Sequence, residues 1–330
     1  MPERRFEHAD EVKRHGLSTP DEATMHFLWQ IVDEGVLGAS RHVKLCNELI
    51  LHLLESADHG LARAKLVAAF IARTRGHDTP VIGNSLDILL SGIEALPTDE
   101  QVPALKVRIT QWEIHAAERK EKLVTSAVRQ LSDMRGVMAF DYSSTVAVVV
   151  TAMAKVREDL VIVVPESRAI SGGARYLEEF LPQGLSVSFI PDAAIEYGLA
   201  ECGVVLFGAE TLRADGSFLN TIGSRMIARL ARDMDIEVYG ATDMLKLDRR
   251  SYAGHRPAPV IRHYDSVLKA DLKIENLEKV STNAPELEVI PPHLITGFLT
   301  EYGPVPPASI WSIGRELFDV DQDENGGKEA

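Results

Sequence analysis

Cysteine is nearly missing from this 330-residue chain, and so are long apolar runs and any excess of basic charge. The two cysteines, Cys46 and Cys202, sit in separate apolar segments without metal-ligand spacing. That pattern reads as buried, reduced thiols and gives no basis for a disulfide or a zinc site. No apolar stretch has the length needed to cross a bilayer, and the opening MPERRFEHADEVKRHG lacks the apolar core of a secretion signal, so a cytoplasmic location without membrane association is expected. Asp and Glu number 49 against 35 Lys and Arg, a net charge of −14. This balance opposes nucleic-acid binding, which relies on basic surface to displace counterions. Any anionic ligand must then be held by a local cluster of Arg and Lys. Signature motifs are missing too: no G-x-G-x-x-G, P-loop, H-E-x-x-H or G-x-S-x-G occurs, and Ser171-Gly172-Gly173 reads only as a flexible start to a helix. No cofactor and no metal are expected.

What is present is enough apolar material, 45% of residues, to fill a core. The first 135 or so residues carry helical periodicity. Thr19 is a candidate N-cap, with Pro20 at the first helical position and Glu22 closing a capping box. Phe27, Leu28, Ile31 and Val32 follow on one face. Val43, Cys46, Ile50, Leu53 and Leu54 repeat the three-and-four spacing, as do Leu86, Leu89, Leu90 and Ile93. A long charged helix is expected over Pro103 to Met134. After Gly136 the period changes: short apolar runs at Val137–Phe140, Val161–Val164, Ser186–Ile190, Val204–Phe207 and Ile236–Tyr239 alternate with helical stretches. The pattern predicts an α/β chain, with a helical N-terminal domain (1–135) followed by a Rossmann-like, mostly parallel doubly wound sheet (136–318). The acidic tail DVDQDENGGKEA (319–330) is expected to be disordered.

Ligands of such sheets bind outside the carboxyl ends of the strands. The expected ends are Asp141–Ser144, Glu166–Gly173, Asp192, Gly208–Glu210 and Ala241–Lys246. The stretch Val204 to Arg232 is the most informative. A buried strand runs through Gly208-Ala209-Glu210 and an Asp215-Gly216 turn into a new helix, setting Glu210 beside a helix N-terminus. Unpartnered N–H groups and the helix dipole make such a corner a candidate small-anion site. The same residues also read as an ordinary tight turn, a helix cap at Asn220 and a solvated Glu210, and spacing alone leaves both readings open.

The segment GAETLRADGSFLNTIGS resembles the GAD-x-x-x-x-x-G-x-x-x-N-K-I-G-T signature of one superfamily. That superfamily joins the alpha, beta and delta subunits of eukaryotic initiation factor 2B with methylthioribose-1-phosphate isomerase and ribose-1,5-bisphosphate isomerase. Further matches follow in the family's order: GASR at Gly38–Arg41, ESR at Glu166–Arg168, Pro191-Asp192-Ala193-Ala194, and Asn283-Ala284-Pro285 before Ile290-Pro291-Pro292. The resemblance spans roughly residues 30 to 310.

The resemblance implies particular site residues. The isomerases' catalytic cysteine falls at Asp141 and their GAD aspartate at Glu210, so both catalytic positions are changed. Thr221 replaces the signature lysine, and Leu37 stands where isomerases have the arginine of R-G-A. Phosphate-side groups survive better, and the ligand-binding set carried over is Gly38, Ala39, Ser40, Arg41, Arg75, Ser143, Arg168, Asn220, Thr221 and Lys246. The expectation is a homodimer, formed through the C-terminal half, that binds a phosphorylated sugar or nucleoside monophosphate without the standard isomerase chemistry. The alternative is an aldose-ketose isomerase of a sugar 1-phosphate that uses Asp141 and Glu210 as its acid and base. Two carboxyl groups can divide those roles if burial keeps one of them protonated.

Overall fold

The computed structural model describes residues 20–33, 38–55, 59–256, 258–264, 276 and 279–318. Thr19, Leu37 and the acidic tail 319–330 lie outside the described residues. The chain divides into two compact units, residues 1–118 and 119–330.

The first unit is helical. Its elements are α1 (Glu22–Ile31), α2 (Ala39–Glu55), α3 (Gly60–Arg73), the short α4 (Arg75–Asp78), α5 (Pro80–Leu90) and the first part of α6 (Thr98–Gln130). Leu28 and Ile31, then Leu49, Ile50 and Leu53, then Val67, Phe70 and Ile71 supply the buried stripes, and α1 packs on α2 and α2 on α3 and α5. Two helix starts differ from the sequence expectation. The first helix is capped by Asp21, whose carboxylate accepts from the Thr24 N–H at 2.7 Å. Pro20 therefore precedes the helix. A carboxylate at the cap both fills an orphan donor and complements the dipole. The long helix begins at Thr98 and ends at Gln130, rather than running from Pro103 to Met134. Asp99 and Glu100 favour its first turn, and Pro103 is carried inside the helix.

The second unit holds a seven-stranded sheet. Its strands are β1 (Gly136–Phe140), β2 (Val161–Pro165), β3 (Ser188–Ile190), β4 (Val204–Phe207), β7 (Glu237–Ala241), β12 (Gly297–Thr300) and β13 (Gly303–Val305). Their spatial order is β13-β12-β7-β4-β1-β2-β3. Every pairing is parallel except that of β12 with β13. Helices α7 (Ser144–Val156), α8 (Gly173–Phe180), α9 (Ile195–Leu199), α10 (Ser224–Asp233) and α11 (Ile310–Phe318) complete the α/β alternation. The central strands β1, β2, β4, β7 and β12 read as near-continuous apolar runs because both faces are covered. Met138, Phe140, Val205, Phe207, Val238 and Phe298 share one core with Ile195, Ile227 and Ile310. Val137, Ala139, Val204, Leu206, Tyr239 and Leu299 face the other, with Val146, Val150, Tyr176 and Leu123. The sheet is thus doubly wound, as the alternation predicts.

The sequence reading contains no counterpart of a second sheet, order β11-β6-β5-β8, built from β5 (Thr211–Arg213), β6 (Phe218–Thr221), β8 (Leu247–Asp248) and β11 (Leu287–Ile290). A further antiparallel pair joins β9 (Ile261–His263) to β10 (Asn283–Pro285). Among the described residues no helix is long and apolar enough to cross a membrane.

Gly136 opens β1 where the backbone of Glu201 crosses it. A Cβ there would lie 1.9 Å from the Glu201 carbonyl oxygen. Gly136→Ala is expected to destabilise the second unit by about 1–3 kcal/mol, the range for overpacking a tight site. An unchanged denaturant midpoint in the variant would contradict that crossing.

Candidate functional site

The strand order reverses between β1 and β4: β2 and β3 continue to one side of that boundary, β7 and β12 to the other. In open α/β sheets this is where ligands bind, at the carboxyl ends. Asp141 follows β1 there, and Gly208-Ala209-Glu210 follows β4.

Asp141 leaves β1 with φ 55°, a left-handed conformation that Asp tolerates better than most residues. The Tyr176 hydroxyl donates to its carbonyl at 2.8 Å and accepts from the Ser143 N–H at 3.1 Å, tying both ends of the turn to α8. The side chain folds back into the protein and is 8% exposed. Its Oδ2 lies 2.5 Å from the Thr221 hydroxyl and its Oδ1 3.3 Å from the Ser167 hydroxyl. Burial raises the carboxyl above its ordinary value, against the hydrogen bonds from Thr221, the Tyr142 backbone and Ser167, and the nearby Glu210 charge adds to the rise. Gly172 is not merely flexible: a Cβ on it would lie 2.0 Å from Asp141 Oδ1.

The other predicted residues fall into place one at a time. Ser143 is the N-cap of α7, its hydroxyl accepting from the Val146 N–H. Gly208 lets the β4 exit pass close to it, since a Cβ there would meet the Ser143 Cβ at 2.7 Å. Glu210 is half-buried and its N–H donates to the Leu219 carbonyl. Lys246 is half-buried and its ammonium donates to the Ala209 carbonyl at 2.5 Å, next to Glu210. Arg168 is exposed on the turn after β2, its guanidinium 3.7 Å from Glu166. That turn is held by Asp192, whose two carboxylate oxygens accept from the Ser167 and Arg168 N–H groups at 2.9 and 2.8 Å. Asn220 is buried and donates to the Ser224 hydroxyl. In the first unit, Gly38 takes φ 106° just before α2, Ala39 and Ser40 open that helix, Arg41 is exposed on it, and Arg75 begins α4.

The helix-start anion site expected after Glu210 is corrected. Hairpin β5–β6, closed by the Asp215-Gly216 turn, separates Glu210 from α10. The α10 start is occupied by the chain's own carboxylate: Glu288 Oε1 accepts from the Gly223 and Arg225 N–H groups at 2.7 and 2.9 Å. Glu288 reaches them because β11 pairs it with Asn220 on β6. Nor is Asn220 the cap of that helix; Gly223 is, at φ 104°.

Several contributors went unread in the sequence. Ser167 and Asp192 lie inside quoted motifs, but nothing marked them as partners of the β1 turn. Tyr176 and Glu288 have no local signal at all. A further acidic cluster sits at the ends of β7 and β12: Asp243 accepts from Arg119 Nε at 3.0 Å, and both Glu301 oxygens accept from the Met244 N–H at 3.2 Å. Burial, then the Asp243 charge, push Glu301 up to about 7. Among the described residues no group of three or more His, Cys, Asp or Glu is arranged to hold a metal ion.

A family model described as the initiation factor 2 subunit family matches residues 64–307. A ribose 1,5-bisphosphate isomerase of Haloterrigena turkmenica is 27% identical over 251 residues, covering 73% of this chain and 76% of that protein. A methylthioribose-1-phosphate isomerase of Oleidesulfovibrio alaskensis is 27% identical over 250 residues, 68% of each chain. Two solved structures from Pyrococcus horikoshii share the fold. They are a 5-methylthioribose 1-phosphate isomerase (TM-score 0.74, 19% identity, 89% of this chain and 88% of that one) and translation initiation factor eIF-2B (TM-score 0.71, 21% identity, 87% and 98%).

The Glu301 environment, faced by Asp243, Arg119 and Tyr302, has a consequence for stability. Its carboxyl titrates near 4.5 when unperturbed and near 7 when folded, so the folded state holds a proton that the unfolded chain has lost between those values. The stabilisation is complete below the lower value and is lost as pH rises through the upper. Melting temperature is therefore expected to fall over that window, and Glu301→Gln is expected to flatten the fall. The same slope in both proteins would assign it to other groups.

Proposed function

Because the chain belongs to the initiation factor 2 subunit family, whose model spans residues 64–307, we propose that it is an aldose-ketose isomerase acting on a sugar 1-phosphate, with Asp141 and Glu210 as its acid and base. The observation that carries the proposal is the buried Asp141 carboxyl at the strand-order reversal, pushed up by burial and facing the Glu210 charge. Opening the ring of a sugar 1-phosphate needs a proton for the ring oxygen, and the shift to a ketose needs a group that takes hydrogen from C2 and returns it at C1. Asp141 supplies the first and, left as a carboxylate, takes back the C2 hydroxyl proton as the ketone forms, while Glu210 moves the hydrogen from C2 to C1. Relatives named as isomerases of ribose 1,5-bisphosphate and methylthioribose 1-phosphate support catalysis over the binding-only reading that the two replaced positions favoured.

Around that pair, Arg168 and Lys246 are assigned to the phosphate side. Guanidinium groups suit the role because they hold phosphate oxygens with two parallel hydrogen bonds. Ser143, Asn220 and Thr221 frame the same strand ends, and Gly38–Arg41 and Arg75 are assigned to ligand contact on the resemblance. A homodimer and a cytoplasmic location belong to the same reading. The second reading, binding of a phosphorylated sugar or nucleoside monophosphate without turnover, is favoured by one observation: both Asp141 oxygens already face protein hydroxyls.

The test is ketose formation from ribose 1-phosphate, ribose 1,5-bisphosphate and methylthioribose 1-phosphate. Turnover of at least one is expected. Asp141→Asn and Glu210→Gln are each expected to lower kcat by about a hundredfold or more while leaving ligand-induced thermal stabilisation in place. Arg168→Ala is expected to weaken binding instead. Saturable binding with no ketose from any of the three would overturn the isomerase in favour of the second reading.

A further inference from the structure

Asp141 and Thr221 are 80 positions apart, yet their side chains meet at 2.5 Å inside the protein, each less than a tenth exposed. Thr221 is fixed on its side of the contact. It ends β6, is paired across to Leu287 on β11, and its carbonyl accepts from the Ser224 hydroxyl. A β-branched side chain in a strand has few rotamers, so the hydroxyl is aimed by the backbone. The Asp141 carboxyl is fixed too, with Ser167 on Oδ1 and the Gly172 backbone against the same oxygen. Among the described residues, the groups that act on this carboxyl include the Thr221 and Ser167 hydroxyls, the Tyr142 N–H and Glu210, none of them a cation, and Tyr176 lies beside it. Lys246 points to the Ala209 carbonyl and Arg175 over the Tyr142 ring.

We propose that Thr221 is a positioning residue for the Asp141 proton: its uncharged hydroxyl fixes the orientation of the carboxyl and leaves the acid form in place, which a cation at this position would not. The proposal rests on the reading of Asp141 as a proton donor. A neutral Asp141 gives its hydrogen to Thr221 Oγ1, which frees the threonine's own hydrogen; an ionised Asp141 accepts from Thr221 instead. The hydroxyl serves both forms with one geometry. An ammonium at position 221 would donate only, and would hold the carboxylate.

The test is infrared titration of the protonated-carboxyl band that Asp141→Asn removes, measured on the full-length chain. The unaltered protein is expected to keep the band to a higher pH than an exposed aspartate does, and Thr221→Ser to match it. Thr221→Val, which keeps the shape and loses the hydroxyl, is expected to move the midpoint up by about one pH unit, the worth of one hydrogen bond to a charged group. Thr221→Lys is expected to move the midpoint down. A midpoint indifferent to valine, or one that lysine does not lower, overturns the proposal and leaves Asp141 as the acid. An unaltered protein whose midpoint is that of an exposed aspartate overturns both, whereas the expected shifts without turnover overturn the isomerase alone. Serine and valine change little volume, so the result stands even if the lysine variant fails to fold.

Discussion

The left-handed turn at Asp141 is the constraint on which the rest of the site depends. A non-glycine residue in that conformation costs roughly 1–2 kcal/mol, and here the surrounding chain over-determines it. Tyr176 grips the carbonyl of Asp141 and the N–H of Ser143 with one hydroxyl. Gly172 and Gly208 are bare where a Cβ would strike the Asp141 carboxyl and the Ser143 side chain. The turn sends the carboxyl back toward the protein rather than out of the sheet, and Thr221 and Ser167 receive it. Burial then does the electrostatic work.

Around this turn the unit spends several of its own charges on structure. Glu288 occupies the start of α10, Asp192 the N–H groups after β2, Asp243 the guanidinium of Arg119, and Lys246 a backbone carbonyl. Each of these satisfies a polar group that would be costly to leave unpaired near the core. The functional consequence is selective. The α10 start, its N–H groups already bonded to a carboxylate, is closed to a phosphate, whereas the Arg168 guanidinium is exposed and only loosely paired.

Five strands of the main sheet were legible; in four of them burial on both faces demands unbroken apolar runs, as in Val204–Phe207 and Val161–Val164, while the edge strand β3 is largely exposed. The second sheet was not, because Thr211, Arg213, Asn220 and Thr221 place buried polar residues in strands of three or four residues. Nothing in that pattern separates it from a loop. The first helix start was misplaced because Thr19 and Asp21 are both good cap residues and Pro20 suits a first helical position, and only the tertiary contacts of Asp21 with His52 and Arg63 single it out. At the site, position 141 could be picked out by resemblance and the carboxyl ends by topology. The hydroxyls that define its chemistry come from β6 and the β2 turn, and no local signal announces such a meeting.

The resemblance that sets Asp141 where the isomerases carry a cysteine gains meaning from the two thiols the chain does have. Cys46 lies buried in the helical unit, and burial pushes its thiol up to about 12. Cys202 donates to the Gly198 carbonyl in the core below β4, and burial followed by the Glu201 charge lifts it to about 12 as well. Neither forms a thiolate near neutrality, and a thiol held that tightly is a poor proton donor. Under the proposed isomerase reading neither thiol can take the acid's part, which falls to the Asp141 carboxyl. A carboxyl is a far stronger acid than a thiol in water, so for it to keep a proton in a working site it needs the opposite environment, one that is dry, short of cations and near another negative charge. Burial and the Glu210 charge push Asp141 that way, and its side-chain hydrogen-bond partners, Thr221 and Ser167, are uncharged hydroxyls that favour its ionised form without the full pull of a cation.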